Sequence, residues 1–202
     1  HIHFLDAASD SKTVWSIGYQ DVIAVGELFL TGKLYSDRVG AIAGPAATKP
    51  RLVRTLVGAN LNELTKGETN DQEIRVISGS VFGGRTSTGA FAYLGRFANQ
   101  VSILNEDRTR PMFHYLRPGF NVHSVKSMFA SALTGKKLAM TTTTNGSERA
   151  MMPIGQFEKI MPLDILPTQL LRSIVVSDVD MAIKLGVLEL DEDDLALCTY
   201  AC

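Results

Sequence analysis

The sequence predicts an α+β fold, and three observations carry that prediction. Between Gln20 and Thr31 the apolar residues recur at helical spacing, with Val22, Val25 and Phe29 on one face. From Tyr35 onward short β-prone runs punctuated by Gly and Pro replace that period. After Pro118 the strand signal fades, and helical patterns joined by loops take over to the end of the chain. At 202 residues the chain is long enough for one to two domains and a buried core without disulfides or metals.

Taken in order, His1-Ile2-His3-Phe4-Leu5 and Thr13 to Ile17 read as short strands, the second holding the only Trp. The helix that follows ends at Gly32, a residue suited to the left-handed conformation of a helix C-terminus. Strands are expected at Arg38 to Ala43, Arg51 to Val57, Glu73 to Ser78 and, interrupted, Tyr93 to Leu104. Asn60, with Glu63 three residues later, has the spacing of a capping box for a short helix closed by Gly67. The later helices are expected at Val125 to Leu133, Pro167 to Val176, Asp178 to Leu185 and Glu192 to the end. Pro167 stands where a missing N–H costs nothing. Thr141 to Pro167 is a long connection of the kind found where a loop lies against something else.

Composition excludes several classes. Twenty Lys and Arg against 21 Asp and Glu leave a net charge of −1, so there is no basic excess to neutralise a phosphate backbone, and nucleic acid is not expected as a partner. The most apolar run, Val22 to Leu30, contains Glu27 and is far short of the ~20 residues a membrane-spanning helix needs. Two cysteines, Cys198 and Cys202, cannot make a disulfide framework, which fits a reducing compartment. The start, without Met, basic leader or signal-peptide pattern, reads as a piece cut from a longer protein.

Three clusters carry candidate chemistry. Gly79 to Thr86 comes within one residue of a phosphate-loop pattern, with Arg85 in place of the Lys, so a nucleotide-binding module is one reading and a glycine-rich hairpin the other. Glu189 and Asp191 to Asp194 suggest either a cation site or, with Asp191 as N-cap and Leu190 stapled onto Leu195, the start of a helix. Cys198 and Cys202 share one helical face and offer two thiolates. His114 and His123 are remote in sequence and His1 with His3 lies on a terminal strand, so packing as small apolar groups is the alternative to a metal. No Gly-x-Ser-x-Gly, His-Glu-x-x-His or Cys-x-x-Cys occurs, and no catalytic, cofactor-binding or metal-ligating residues are assigned.

The run Leu188-Glu189-Leu190-Asp191-Glu192-Asp193-Asp194-Leu195-Ala196-Leu197-Cys198-Thr199-Tyr200 resembles the A subunit of the sodium-translocating NADH:quinone oxidoreductase family. Tyr19 to Ala24, Pro50 to Thr55, Arg75 to Val81 and Met161 to Thr168 agree with the same family, so the resemblance covers essentially the whole chain. It implies a bacterial inner-membrane complex that passes electrons from NADH to ubiquinone and exports Na⁺. The A subunit would be a peripheral component on the cytoplasmic face, held by partner subunits, chiefly the membrane-embedded B subunit. NADH, ubiquinone and Na⁺ would be substrates of the whole complex, with no cofactor resident in this chain. The family resembles the flavin and iron-sulfur subunit of respiratory complex I and the C subunit of the Rnf complex, but without their cofactor motifs.

The resemblance also implies names for the segments. Residues 1–34 would end a Rossmann-like domain, 35–120 would form a β-grasp of the soluble-ligand-binding type, and 121–202 a helical C-terminal region. The leading expectation for this part is scaffolding and docking, through Met151, Met152, Pro153 and Ile154, apolar residues in a stretch of weak secondary-structure signal that otherwise pack within their own domain. The alternative is a contribution to a quinone pocket by Phe91, Tyr93, Arg96 and Phe97, whose strand-like alternation equally suits a face packed on a core.

Overall fold

The first helix, α1 (Tyr19–Thr31), forms where its period predicts and stops at Gly32, which adopts φ +68°. Its apolar face is not covered: Val22, Val25 and Phe29 are exposed and no residue of the helix is buried. The computed structural model describes residues 4–70, 72–125, 127–146 and 150–201. Expectations that fall on His1, Ile2, His3 and Cys202 lie outside them. Thr13 to Ile17 is not a strand. A strand exists by hydrogen bonding to a neighbour, and among the described residues none pairs with it. The chain divides into two compact units, Thr31–Glu148 and His1–Leu30 with Arg149–Cys202.

Thr31–Glu148 is built on a five-stranded mixed sheet: β1 (Asp37–Ala43), β2 (Arg51–Leu56), β3 (Ile74–Ser78), β4 (Arg85–Thr86) and β5 (Gln100–Asn105). Their order across the sheet is β2-β1-β5-β3-β4. β1 and β5 run parallel, Ile42 beside Val101, and the other neighbours are antiparallel. The short helix α2 (Leu61–Leu64) lies between β2 and β3 in sequence. Its N-cap is Asn60, whose side chain accepts from the Asn62 N–H at 2.9 Å. Leu61 packs with Leu94 and Val101, while Ile42, Ala46 and Ile103 form the adjoining cluster, with Leu64 touching both. Burying side chains of this size stabilises by roughly 1.5–3 kcal/mol each.

β1 comes close to β5 through Gly44, at φ +119°, where an added Cβ would stand 2.2 Å from the Ile103 carbonyl oxygen. Ser102 and Leu104 are also buried, although they point to the face opposite Val101 and Ile103. Past β5 the chain returns to the sheet at Thr141, which bridges Asn105, and the Asp107 N–H donates to the Thr142 hydroxyl at 3.0 Å. The start of the long threonine connection therefore lies against the sheet. The helix expected over Val125 to Leu133 is reduced to α3 (Ser131–Thr134). Tertiary bonds take the backbone instead: the Ala130 N–H donates to the Pro118 carbonyl at 2.8 Å and the Ser131 hydroxyl to the Val122 carbonyl at 2.5 Å.

The second unit holds α4 (Gln156–Ile160), α5 (Pro167–Val175), α6 (Val179–Lys184) and α7 (Ala196–Ala201). α5 begins with Pro167 and buries Pro167, Leu170 and Ser173 at the i, i+3 spacing of an amphipathic helix, with Thr168 buried beside them. Phe157, Ala182 and Cys198 are the buried side chains of α4, α6 and α7. The Thr168 hydroxyl donates to the Glu158 carboxylate at 2.6 Å, tying α5 to α4 and holding that carboxyl below the usual range. α6 is capped by Asp178, which accepts from the Met181 N–H.

Candidate functional site

The segment Phe91 to Phe97 is pinned to the sheet at several points. On either side of the Asn60–Tyr93 bridge, the Leu61 N–H donates to the Ala92 carbonyl and the Leu94 N–H to the Ala59 carbonyl, both at 2.9 Å. The Gly95 N–H donates to the Ser78 hydroxyl at 2.9 Å, and the buried Arg38 guanidinium donates from Nη2 to the Arg96 carbonyl at 3.1 Å. These bonds settle which side chains face inward. Ala92 and Leu94 enter the core, and Phe91, Tyr93 and Phe97 stand outside it, 56%, 49% and 85% exposed. The core-packing alternative for the three aromatics is thereby corrected. The expected strand over Tyr93 to Leu104 is also shorter, since only Gln100–Asn105 is strand and Gly89–Phe91 is a 3₁₀ turn.

Two guanidinium groups accompany the exposed rings. Arg85, the first residue of β4, places its guanidinium carbon 5.0 Å from the centre of the Phe91 ring, and Arg96 lies 6.0 Å from that of Phe97. Such pairs contribute about 0.5–1 kcal/mol each at exposed positions. Sequence reasoning did not single out Arg38, and it met Arg85 only as the stand-in for a phosphate-loop Lys. Arg38 shares strand parity with the inward-facing Ile42, and that parity is the one sequence signal that marks it.

The glycine run Gly79 to Thr86 closes on itself. Three of its N–H groups are taken: Gly79 donates to the Gln100 carbonyl of β5 at 2.8 Å, Gly83 to the Ser80 hydroxyl at 3.0 Å and Gly84 to the Ser80 carbonyl at 2.9 Å. A Cβ at Gly84 would stand 2.3 Å from the Ser80 carbonyl oxygen, so the turn itself requires glycine there. The run ends in strand β4 (Arg85–Thr86), and a single 3₁₀ turn at Gly89–Phe91 comes after it, not an α-helix. The phosphate-loop reading is corrected, because it needs an α-helix N-terminus aimed at the phosphate, and the glycine-rich hairpin stands.

The acidic run is a helix start. Asp191 accepts from the Glu192 N–H at 2.9 Å, and Asp194 accepts from the Asp191 N–H at 3.0 Å, with a 3₁₀ turn at Glu192–Leu195 leading into α7. Cys198 is buried on that helix. His114 lies edge-on to Phe129, ring centres 5.7 Å apart. Among the described residues, no group of three or more His, Cys, Asp or Glu side chains is placed to hold a metal ion.

In the other unit, the candidate docking residues precede α4 without regular structure. Met152 and Ile154 are 61% and 54% exposed, Pro153 is exposed and Met151 partly covered. Among the described residues no helix is long and apolar enough to cross a membrane.

Comparison with known proteins gives one consistent answer. The family model described as the NQRA C-terminal domain matches residues 39–89, and that described as the NqrA second alpha/beta domain matches residues 1–34. The chain is 63% identical to the A subunit of the Na(+)-translocating NADH-quinone reductase of Marinomonas sp., over 100% of this chain and 46% of that protein. It is 64% identical to the protein of that name in Cellvibrio japonicus, covering 45% of it, and 59% identical to that of Pseudomonas aeruginosa, covering 46%. The chain thus spans about half the length of the curated relatives it matches, and along that whole span its sequence is similar to the A subunit of the Na(+)-translocating NADH-quinone reductase.

Proposed function

We propose that this chain is part of a subunit of a complex that couples electron transfer from NADH to quinone, here ubiquinone, to Na⁺ export, and that its role there is scaffolding and docking. The observation that carries the reading is the identity of 59–64% over every residue of the chain with relatives of that name. NADH, ubiquinone and Na⁺ are then substrates of the assembled complex, and this part holds no cofactor of its own. The protein sits on the cytoplasmic face of the inner membrane, held by its partners and chiefly by the membrane-embedded B subunit. In a bacterium that has the complex, replacing the gene for the whole A subunit by the full-length gene containing this sequence tests the assignment. Restored Na⁺-stimulated NADH:quinone reduction is expected, and a membrane fraction without it overturns the reading.

The segment names follow the same proposal. For residues 35–120 as a β-grasp, the support is the order β2-β1-β5-β3-β4 around a parallel central pair, with α2 packed on one face. For residues 1–34 as the end of a Rossmann-like domain, it is the helix α1 with an uncovered apolar face. Residues 121–202 are the helical region. Docking through Met151 to Ile154 is supported by the exposure of Met152, Pro153 and Ile154. The double change Met152→Asp with Ile154→Asp is expected to release the intact protein from the complex. Unchanged recovery of all subunits would dismiss this stretch as an interface.

A second reading is favoured by one observation, the exposed rings of Phe91, Tyr93 and Phe97 with guanidinium groups beside two of them. Flat apolar rings next to fixed donors are the elements of a quinone-contacting surface. Phe91→Ala with Phe97→Ala is expected to raise the quinone KM of the assembled complex with little change in kcat. An unchanged KM removes this reading.

A further inference from the structure

The two edges of the sheet are unequal. β4 is two residues long and begins where the glycine turn ends, so it offers little backbone to a neighbour. β2 is six residues long, contains no proline, and pairs with β1 from Arg51 to Leu56 in unbroken register. The Val57 N–H donates to the Ser36 carbonyl. Antiparallel alternation then turns the main chain of Val53 and Thr55 toward β1 and that of Leu52, Arg54 and Leu56 toward the open edge, where the Leu56 carbonyl already accepts from the Ala59 N–H at 3.1 Å. Among the described residues nothing bonds to the N–H groups of Leu52 and Arg54.

The side chains add a second pattern. Val53 packs on the core while Leu52 and Leu56 are 73% and 53% exposed on the other face, with Arg54 between them and Val39 of β1 beside Arg54. An edge strand presents a row of unpaired N–H and C=O groups that can template another strand, and the charged Arg54 on this one opposes pairing with a like-charged edge while suiting an acidic one. The charge is one-sided as well. Lys49, Arg51 and Arg54 occur with no acidic residue between Thr48 and Leu61, and of the three Arg51 is engaged by Glu68 in two bonds of 2.6 and 2.7 Å.

We infer that the open edge of β2 receives an extended segment of a different polypeptide of the complex, one that pairs with the main chain of Leu52 to Leu56 and sets an acidic side chain, flanked by apolar ones, opposite Arg54. Main-chain bonds would give such a segment its affinity, and Leu52, Arg54 and Leu56 its register. The charge pattern selects a different chain over a second copy. Two β2 edges paired antiparallel about their centre would place Arg54 against Arg54, and like charges directly opposite are destabilising. The inference rests on the proposed membership of a complex.

The test compares hydrogen exchange of the full-length protein alone and in the purified complex. The amides of Leu52 and Arg54 are expected to exchange at least about tenfold more slowly in the complex, equivalent to 1.4 kcal/mol of added protection, with Val53 unchanged. Arg54→Glu, at an exposed position, is expected to keep the wild-type melting temperature of the free protein and to abolish the added protection. Equal exchange in the free and assembled protein overturns this inference and leaves the proposed membership standing. Slow exchange already present in a dimer of the free protein overturns it in favour of a second copy. Failure of the wild-type protein to copurify with other components of the complex overturns the proposed membership and the inference together.

Discussion

The guanidinium of Arg38, buried at the start of β1, donates from Nη2 to the main-chain carbonyl of Arg96 at 3.1 Å across 58 residues of sequence. One charged side chain inside the unit thus holds the loop whose outer surface carries Phe91, Tyr93 and Phe97. Removing a charged partner from a buried hydrogen bond costs about 1.5–3 kcal/mol. Arg38→Met is expected to lower unfolding stability by that amount in urea and to speed amide exchange at Gly95 to Phe97. Unchanged exchange there would show that the loop is held by its other bonds alone.

Glycines with positive φ separate into two kinds. At Gly44 an alanine Cβ would stand 2.2 Å from the Ile103 carbonyl oxygen, whereas at Gly135, φ +56°, nothing lies within 4 Å. The left-handed conformation alone costs an L-residue roughly 1–2 kcal/mol. Gly135→Ala is expected to lose about that much, and Gly44→Ala more than about 3 kcal/mol, because parallel strands β1 and β5 must also separate. Denaturant midpoints decide it, and equal losses would refute the close approach.

The Arg51–Glu68 pair predicts a pH dependence. Hydrogen bonding to the Arg51 guanidinium holds the Glu68 carboxyl below its ordinary value. A carboxylate whose folded value is depressed stabilises the fold above the unfolded value, about 4.3, and that contribution disappears as pH falls through the folded value. Glu68→Gln is therefore expected to be less stable than wild type at neutral pH, with the difference closing in acid. The pair is at the surface, so salt should shrink the difference. An NMR titration placing the Glu68 midpoint at its ordinary value would contradict the prediction.

Asp191 is predicted to act as a cap and not as a cation ligand. Asp191→Ala is expected to cost about 1 kcal/mol, and Asp191→Asn, which retains an acceptor, far less. Millimolar Ca²⁺ is expected to leave the melting temperature of the wild-type protein unchanged, since a ligand bound only by the folded state would raise it. A rise of several degrees that Asp191→Asn abolished would restore the cation reading.

Much of the local structure was legible. Strands β1, β2 and β3 form close to their expected bounds, because β-branched runs between Gly, Pro and Asn have few other conformations that satisfy their backbone. α5 begins at Pro167, and Asp191 caps the helix start, for reasons confined to a few residues. The expected Val125 to Leu133 helix failed where local propensity met competing bonds from Pro118 and Val122. The alternation of residues 91–97 defined two faces and did not say which was inside, since Phe91 and Tyr93 are apolar but so are Ala92 and Leu94.

The sequence by itself determined the class of fold, the likeness to one family of proteins, and those elements whose signals act within one turn or one strand. Only the tertiary structure decided the strand order, the outward turn of the aromatics, the closure of the glycine run and the open edge of β2. Each of these depends on which backbone groups find partners far along the chain, and a side chain's face follows from the register of that pairing.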